Sequence, residues 1–191
     1  MATDVSICSN ALLMLGAKSI NSLVEASDGN ADRVRLAANL WPDVRDQLLR
    51  DHPWNCAIKR DVLAPDGTAP AFDWSAKFRL PADFLRLLSV GEEGAEEPYK
   101  LDAGFILADT DALAIRYVFR NEDVGSWDAS MVQVATLRMA AAMAYAVTQS
   151  ASLADAMEQK AERAFKRAKS VDGQEDMAEM LGDHRQTRSR Y

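Results

Sequence analysis

Apolar residues recur at three- and four-residue spacing toward both ends of the chain and alternate with polar ones in its middle. The pattern predicts helices that flank a run of strands. Val5, Cys8, Leu12 and Leu15 line one face of a first helix, which Thr3 or Asp4 can cap and Gly16 ends. After a loop over 17–30, Asn30 or Asp28 opens a second helix that reaches about Arg50. Its apolar face reads Val34, Ala37, Ala38, Trp41, Val44, Gln47 and Leu48, with Asp32, Arg33, Arg35, Asp43, Arg45, Asp46 and Arg50 mostly outside it. The stripe keeps its phase across Pro42, which predicts one kinked helix. Pro53 drives His52 out of the helical region, and the helix must stop there.

The signals change from Cys56 to Phe119. Residues 62–71 form a Pro/Gly turn region with too little alternation for a strand. Residues 72–81 alternate aromatic and polar positions through Phe72, Trp74 and Phe78 before breaking at Pro81. Further strands are predicted over 85–90, 98–101, 104–107 and 112–119, separated by turns at Gly91, Gly94 and 109–111. Short antiparallel strands with one covered face fit this better than a parallel sheet.

A third helix starts at Asp123, Ser126 or Asp128 and ends near Ser150. It is rich in alanine and methionine, which permits close approach of neighbours on several sides. Ser152 is the expected cap of a fourth, whose inner stripe is Leu153, Met157, Ala161, Ala164, Phe165 and Ala168. The short turn between the two predicts an antiparallel pair. After residues 171–173 the pattern weakens into an acidic stretch and then a basic end with Arg185, Arg188, Arg190 and Tyr191. The expected class is therefore α+β: a bundle of about four helices (1–55 and 124–172), a small antiparallel β domain inserted between the second and third (56–123), and a flexible C-terminal tail (173–191).

Charge narrows the partners. A net charge of -7 disfavours a protein coated in nucleic acid but leaves room for a local basic patch. Two cysteines, Cys8 and Cys56, provide neither a disulfide framework nor metal spacing, and Cys8 falls on the apolar stripe of the first helix. The start lacks the basic and apolar regions of a signal peptide, so none is expected. The oily run 131–147 is interrupted by Gln133 and Arg138 and falls short of the roughly 20 apolar residues that span a bilayer. It reads as a buried helix, without membrane insertion.

Catalytic signatures are missing from the sequence. His52 and His184 stand alone, and there is no zinc-binding helix, phosphate-cradling loop or nucleophile elbow. Asp43 and Asp46 lie three apart on one helix face, but Arg45 and Arg50 stand close enough to compensate them, so a solvated face is favoured over an acid/base pair. The acidic run Glu92, Glu93, Glu96 and Glu97 lacks calcium-loop spacing. The arginines of the tail suit phosphates, a protein groove or plain solvation; Tyr191 beside Arg190 tilts toward the groove. Neither a cofactor nor an enzymatic activity is expected.

Three stretches carry a family resemblance. They are the opening 5–17 with the loop Ile20-Asn21-Ser22-Leu23 and the following 30–35, the corner Arg50-Asp51-His52-Pro53-Trp54-Asn55, and Phe78-Arg79-Leu80-Pro81-Ala82-Asp83-Phe84-Leu85. Together with the closing helix pair they resemble the adaptor proteins of short-tailed bacteriophages, also called tail tubular protein A or head-to-tail connector proteins. The resemblance covers nearly the whole chain. It implies a virion protein, made in the host cytoplasm, that stands at the head–tail junction. Twelve copies would form a ring joining the portal protein to the tail nozzle or lower tail tube, and the ring would extend the channel through which DNA passes without sequence recognition. By the same analogy Phe165 and the tail, with Arg185, Arg188, Arg190 and Tyr191, would dock on the portal. Some relatives have been linked to cell-wall degradation, but this sequence offers no recognisable pair of flanking carboxylates, and that activity is not carried over.

Ring closure needs one surface to meet a different one on the neighbour. Arg33, Arg35, Asp43, Arg45 and Asp46 could supply its polar contacts, and Phe72 and Trp74 an apolar anchor, unless those two are core aromatics. Glu92, Glu93, Glu96, Glu97, Asp109 and Asp111 either face the channel, where they would repel DNA phosphate, or are simply solvated outside. A neck or head-completion protein of a long-tailed phage is the nearest alternative. A cell-wall hydrolase or nuclease is the more distant one.

Overall fold

The computed structural model of the chain describes residues 1–24, 30–92 and 95–175. It is an α+β protein of four long helices and small antiparallel sheets, with the strands inserted between the second and third helices. The chain divides into two compact units, 1–56 with 121–175, and 57–120.

In the helical unit, α1 (Asp4–Met14) opens on a capping box: Thr3 Oγ1 accepts from Ser6 N and the Ser6 hydroxyl accepts from Thr3 N. It ends in a Schellman turn, with Gly16 N donating to the Leu13 carbonyl and Ala17 N to that of Leu12. Gly16 there has φ +74°, which a side chain would oppose. Ile7, Cys8, Ala11 and Leu12 are buried, and burial pushes the Cys8 thiol up to about 12.

Helix α2 (Ala31–Asp51) runs unbroken through Pro42. Its buried line departs from the expected one after Trp41, passing through Arg45, Leu48 and Leu49, while Val44 is half-buried and Gln47 exposed. Arg45, expected outside, is thus inside, only 8% exposed. Its guanidinium donates from Nε to Asp46 Oδ1 at 2.9 Å and pairs through Nη1 with Glu122 Oε1 at 2.9 Å. Those partners are what make its burial tolerable.

Helix α3 (Ala129–Thr148) is capped by Asp128, which accepts from the Ser130 backbone and hydroxyl, and those bonds hold its carboxyl below the usual range. By length and composition α3 could cross a membrane, but half of that stretch is buried, and α1, α2 and α4 (Ala151–Glu175) all pack on it. It is the core of the unit. Ser150, in place of the expected Ser152, starts α4: its hydroxyl accepts from Leu153 N and its carbonyl from Ala154 N. The helix also continues past its expected end, through Gly173 to Glu175.

The β unit holds two antiparallel sheets. One has the order β1 (Ile58–Leu63), β7 (Leu113–Phe119), β3 (Phe84–Glu92), β4 (Ala95–Glu96); the other has β2 (Ala76–Arg79), β6 (Phe105–Ala108), β5 (Lys100–Asp102). Leu63, Phe78, Val90, Ile106, Leu113, Ile115 and Tyr117 share one core between them. Strand β1 is not among the strand ranges expected, although it begins where the signals change after Cys56, and it runs through Val62 and Leu63 into the region expected to be a strandless turn. It is an edge strand with 59–62 all exposed, so burial leaves no alternation in its sequence. The aromatic alternation of 72–81 yields only the short β2, and Phe72 lies outside it, 76% exposed.

Candidate functional site

The corner at the end of α2 is the densest set of specific contacts in the helical unit that the sequence singled out. Pro53 ends the helix, with His52 in extended backbone at φ -141°. Trp54, 1% exposed, turns back so that its indole N–H donates to the Leu48 carbonyl at 2.9 Å. The Trp54 ring lies edge-on to His52, centroids 4.8 Å apart, and to Phe165 at 6.0 Å.

A residue from the far end of α4 completes the corner. Asp172 Oδ2 lies 3.0 Å from His52 Nε2, its Oδ1 accepts from Asn55 N at 3.2 Å, and its carbonyl accepts from Asn55 Nδ2 at 3.0 Å. This clasp explains why α4 overruns Gly173: a helical glycine costs about 1 kcal/mol relative to alanine, and the bonds to Asp172 offset it. Beside the clasp, Arg138 donates to Asp51 at 2.6 Å and stacks over the Phe165 ring at 4.6 Å, with Lys169 on the same ring at 5.3 Å. Phe165, expected to dock on the portal, is thus half-buried and engaged within its own unit. No local pattern marks Asp172 or Arg138 as part of the corner. Asp172 stood in what read as a helix-ending Val-Asp-Gly, and nothing local could link it to a residue 120 positions away.

Below the corner, Asn121 closes the chain's return from the strands. Its side-chain amide donates to the Cys56 carbonyl at 2.7 Å and to Ser126 Oγ at 2.9 Å, and its Oδ1 accepts from Asp123 N at 3.1 Å. Cys56 Sγ contacts Met131 Sδ at 3.7 Å, and burial, with the charge of Asp172, pushes its thiol up to about 11. That is an inert thiol, not a nucleophile.

In the β unit, Leu80-Pro81-Ala82-Asp83-Phe84-Leu85 leads into β3 through a lock on Asp83. Lys59 donates to Asp83 Oδ2 at 2.5 Å and Tyr117 to Oδ1 at 3.1 Å, while the Asp83 carbonyl accepts from Arg120 N at 2.7 Å. Burial raises the Asp83 pKa, but the hydrogen bonds from Lys59 and Tyr117 outweigh it and hold the carboxyl below its ordinary range. Burial, then the hydrogen bond to Asp83, pushes the Tyr117 hydroxyl up to about 12.

The other expected site residues are dispersed. Arg33 donates to Asn30 Oδ1 at 2.9 Å and is half-buried, Arg35 lies 4.0 Å from Asp32, and Asp43 is exposed. Arg45 and Asp46 belong to the internal ion pair described above, which removes Arg45 from any polar contact with a neighbour. Trp74 is half-buried. Glu92, Glu97, Asp109 and Asp111 are exposed, and Asp109 accepts from Ser75 N at 2.7 Å. Glu93, Arg185, Arg188, Arg190 and Tyr191 lie outside the described residues, as does the side chain of Glu96.

Among the described residues no three His, Cys, Asp or Glu side chains are grouped to hold a metal ion. Large apolar side chains nevertheless reach the surface of each unit: Leu13, Met14 and Tyr145 in the helical one, Val62, Phe72, Tyr99 and Leu101 in the β one. Such side chains can bury further area only against another molecule or another part of the chain. No protein-family model and no curated protein matches the chain.

Proposed function

We propose that this is a structural virion protein, a head–tail adaptor whose copies form a ring of twelve joining the portal protein to the tail nozzle and extending the DNA channel. What carries the reading is the coincidence of the resembling motifs with structural junctions. The corner 50–55 is where the chain leaves the helical unit, and its side chains are engaged in a clasp with α4. Residues 80–85 are where it enters β3, and Asp83 is locked there by two partners. Motifs spent on holding the chain's own corners suit a building block better than a catalyst, which needs groups free to meet substrate.

The exposed apolar residues of both units support the same reading, since a ring subunit must offer two different faces to its neighbours. Phe72 is the strongest candidate anchor on the β unit, being large and open, and Arg35 and Asp43 offer exposed charges on the helical unit.

The test is the mass of the full chain in solution, alone and mixed with the portal protein of the same phage. A complex of twelve chains on one portal ring is expected. Absence of any complex, together with absence of the chain from purified virions, overturns the proposal.

A further inference from the structure

The outer face of the four-stranded sheet carries a like-charge pair. Ile115 and Tyr117 of β7 belong to the core of the β unit, so Arg116 between them points away from it. Strand register sets Arg60 of β1 directly opposite Arg116 on that same face, and both are exposed. Arg86 of β3, opposite Val118, stands on this face as well. Directly opposed residues have Cβ atoms about 5 Å apart, and like charges there are destabilising. Asp61, the nearest acid in sequence, is on the other side of the sheet, opposite Ile115. Among the described residues neither Arg60 nor Arg116 has a hydrogen bond or an ion pair. An anionic partner would offset the repulsion.

The far side of the same sheet supplies the complement. Strands β1 and β4 are its two edges. The sequence holds four glutamates within 92–97 around the hairpin of β3 and β4. Glu92 and Glu97 are both exposed there; Glu92 is paired with Ala95, and Glu97 N donates to the Val90 carbonyl at 3.5 Å. Tyr99, just beyond, is exposed, as is Val62, two residues from Arg60 on the arginine face.

We propose that this pair of surfaces joins successive copies of the chain. The Arg60–Arg116 face of one copy receives Glu92 and Glu97 of the next, with Val62 against Tyr99. The contact rests on the ring reading above and gives that ring a named seam in its β units. Each copy presents both surfaces at different places on one sheet, so the contact is heterologous, the type that closes a ring. Guanidinium and carboxylate form charge-assisted, two-point bonds. A second copy is favoured over nucleic acid because a chain of net charge -7 repels phosphate over the rest of its surface. Its own carboxylates arrive with every neighbour. Each exposed pair contributes little, and salt screens it, so repetition around the ring supplies the strength.

Carbodiimide coupling of the full-length chain tests the seam without any partner. Arg116→Lys keeps the charge and provides an amine, and this variant is mixed from ordinary and isotope-labelled chains at low salt. The expected product is an amide joining position 116 of one chain to Glu92 or Glu97 of another. High salt should reduce it several-fold, and so should adding Arg60→Glu, which sets a carboxylate of the same chain opposite position 116. The Lys59–Asp83 link within one chain is the internal standard for a folded β unit and an active reagent. With that standard formed, no product between chains, or coupling of position 116 to scattered carboxyls without preference, would overturn the proposal. Binding of a duplex oligonucleotide that Arg60→Glu abolishes, with no chains joined, would also overturn it and assign the face to phosphate. Twelve chains on a portal ring without this link would sink the seam alone. The link without any portal complex would leave the seam standing and sink the adaptor reading.

Discussion

His52 Nε2 and Asp172 Oδ2 meet at 3.0 Å although 120 positions of sequence separate them. The contact joins the last residue before Pro53 to the last turns of α4, and Asn55 adds two further bonds to the same aspartate. It makes the end of α4 dependent on the corner. Asp172→Ala should therefore cost about 1 kcal/mol in urea unfolding, the net worth of hydrogen bonds whose partners, part-buried His52 and exposed Asn55, can turn to water. It should also speed amide exchange over the final turns of α4. Asp172→Asn keeps an acceptor for Asn55 N and should lose less. Unchanged exchange in the alanine variant would mean that the clasp does not hold the helix.

Arg45 offers a sharper contrast between charge and packing. It is buried against Asp46 and Glu122, but Glu122 remains largely in solvent, its side chain 66% exposed. Truncation to alanine removes the stem and strands Asp46, which should cost about 2 kcal/mol, below the range for fully enclosed pairs. Arg45→Met keeps most of the volume and should lie within about 1 kcal/mol of the parent. Urea midpoints for the two variants read the difference directly, and equal losses would mean that packing of the stem contributes nothing.

The same residue marks where the sequence ceased to be legible. Periodicity located all four helices because each buries a stripe on one core, and Thr3, Gly16, Asp128 and Pro53 carry local signals for their ends. The phase of α2 after Trp41 was not readable, because Arg45 is admitted to the interior by Glu122, which stands beyond the whole β unit in sequence. Strand β1 was unreadable for the opposite reason: an exposed edge imposes no alternation. Of the candidate site, the corner residues were visible as an unusual turn, while their partners Asp172, Arg138 and Phe165 acquire that role only through folding.

Asp83 and Tyr117 predict how stability responds to pH at both extremes. The Tyr117 hydroxyl, raised to about 12, holds its proton more tightly in the folded chain. Its contribution is therefore complete below the ordinary tyrosine value of about 10 and is lost as pH rises toward 12. Asp83 is shifted the other way, so its contribution is present above the ordinary carboxyl value and lost as pH falls through the lowered one. Tyrosinate absorbance should show a late step near 12 that belongs to Tyr117. Tyr117→Phe should abolish that late step and reduce the alkaline loss of stability. A titration in which every tyrosine ionises near 10 would remove the basis for both statements.

The hairpin joining β5 to β6 turns in two residues, Ala103 and Gly104, between the paired Asp102 and Phe105. Both have positive φ, +45° and +84°, as a type I′ turn requires to match the twist of its strands. Gly104 adopts this freely, but at Ala103 the Cβ opposes it, at a cost of about 1 kcal/mol. Asparagine tolerates the left-handed region and forms the favoured Asn-Gly pair. Ala103→Asn should thus stabilise the chain by about 0.5–1 kcal/mol, an unusual direction for a surface substitution. Glycine at this position relieves the same strain yet also frees the unfolded chain, so Ala103→Gly should gain less. Thermal unfolding of the three proteins should rank them asparagine, glycine, alanine, and an asparagine variant no more stable than the parent would show that the turn does not hold Ala103 in this conformation.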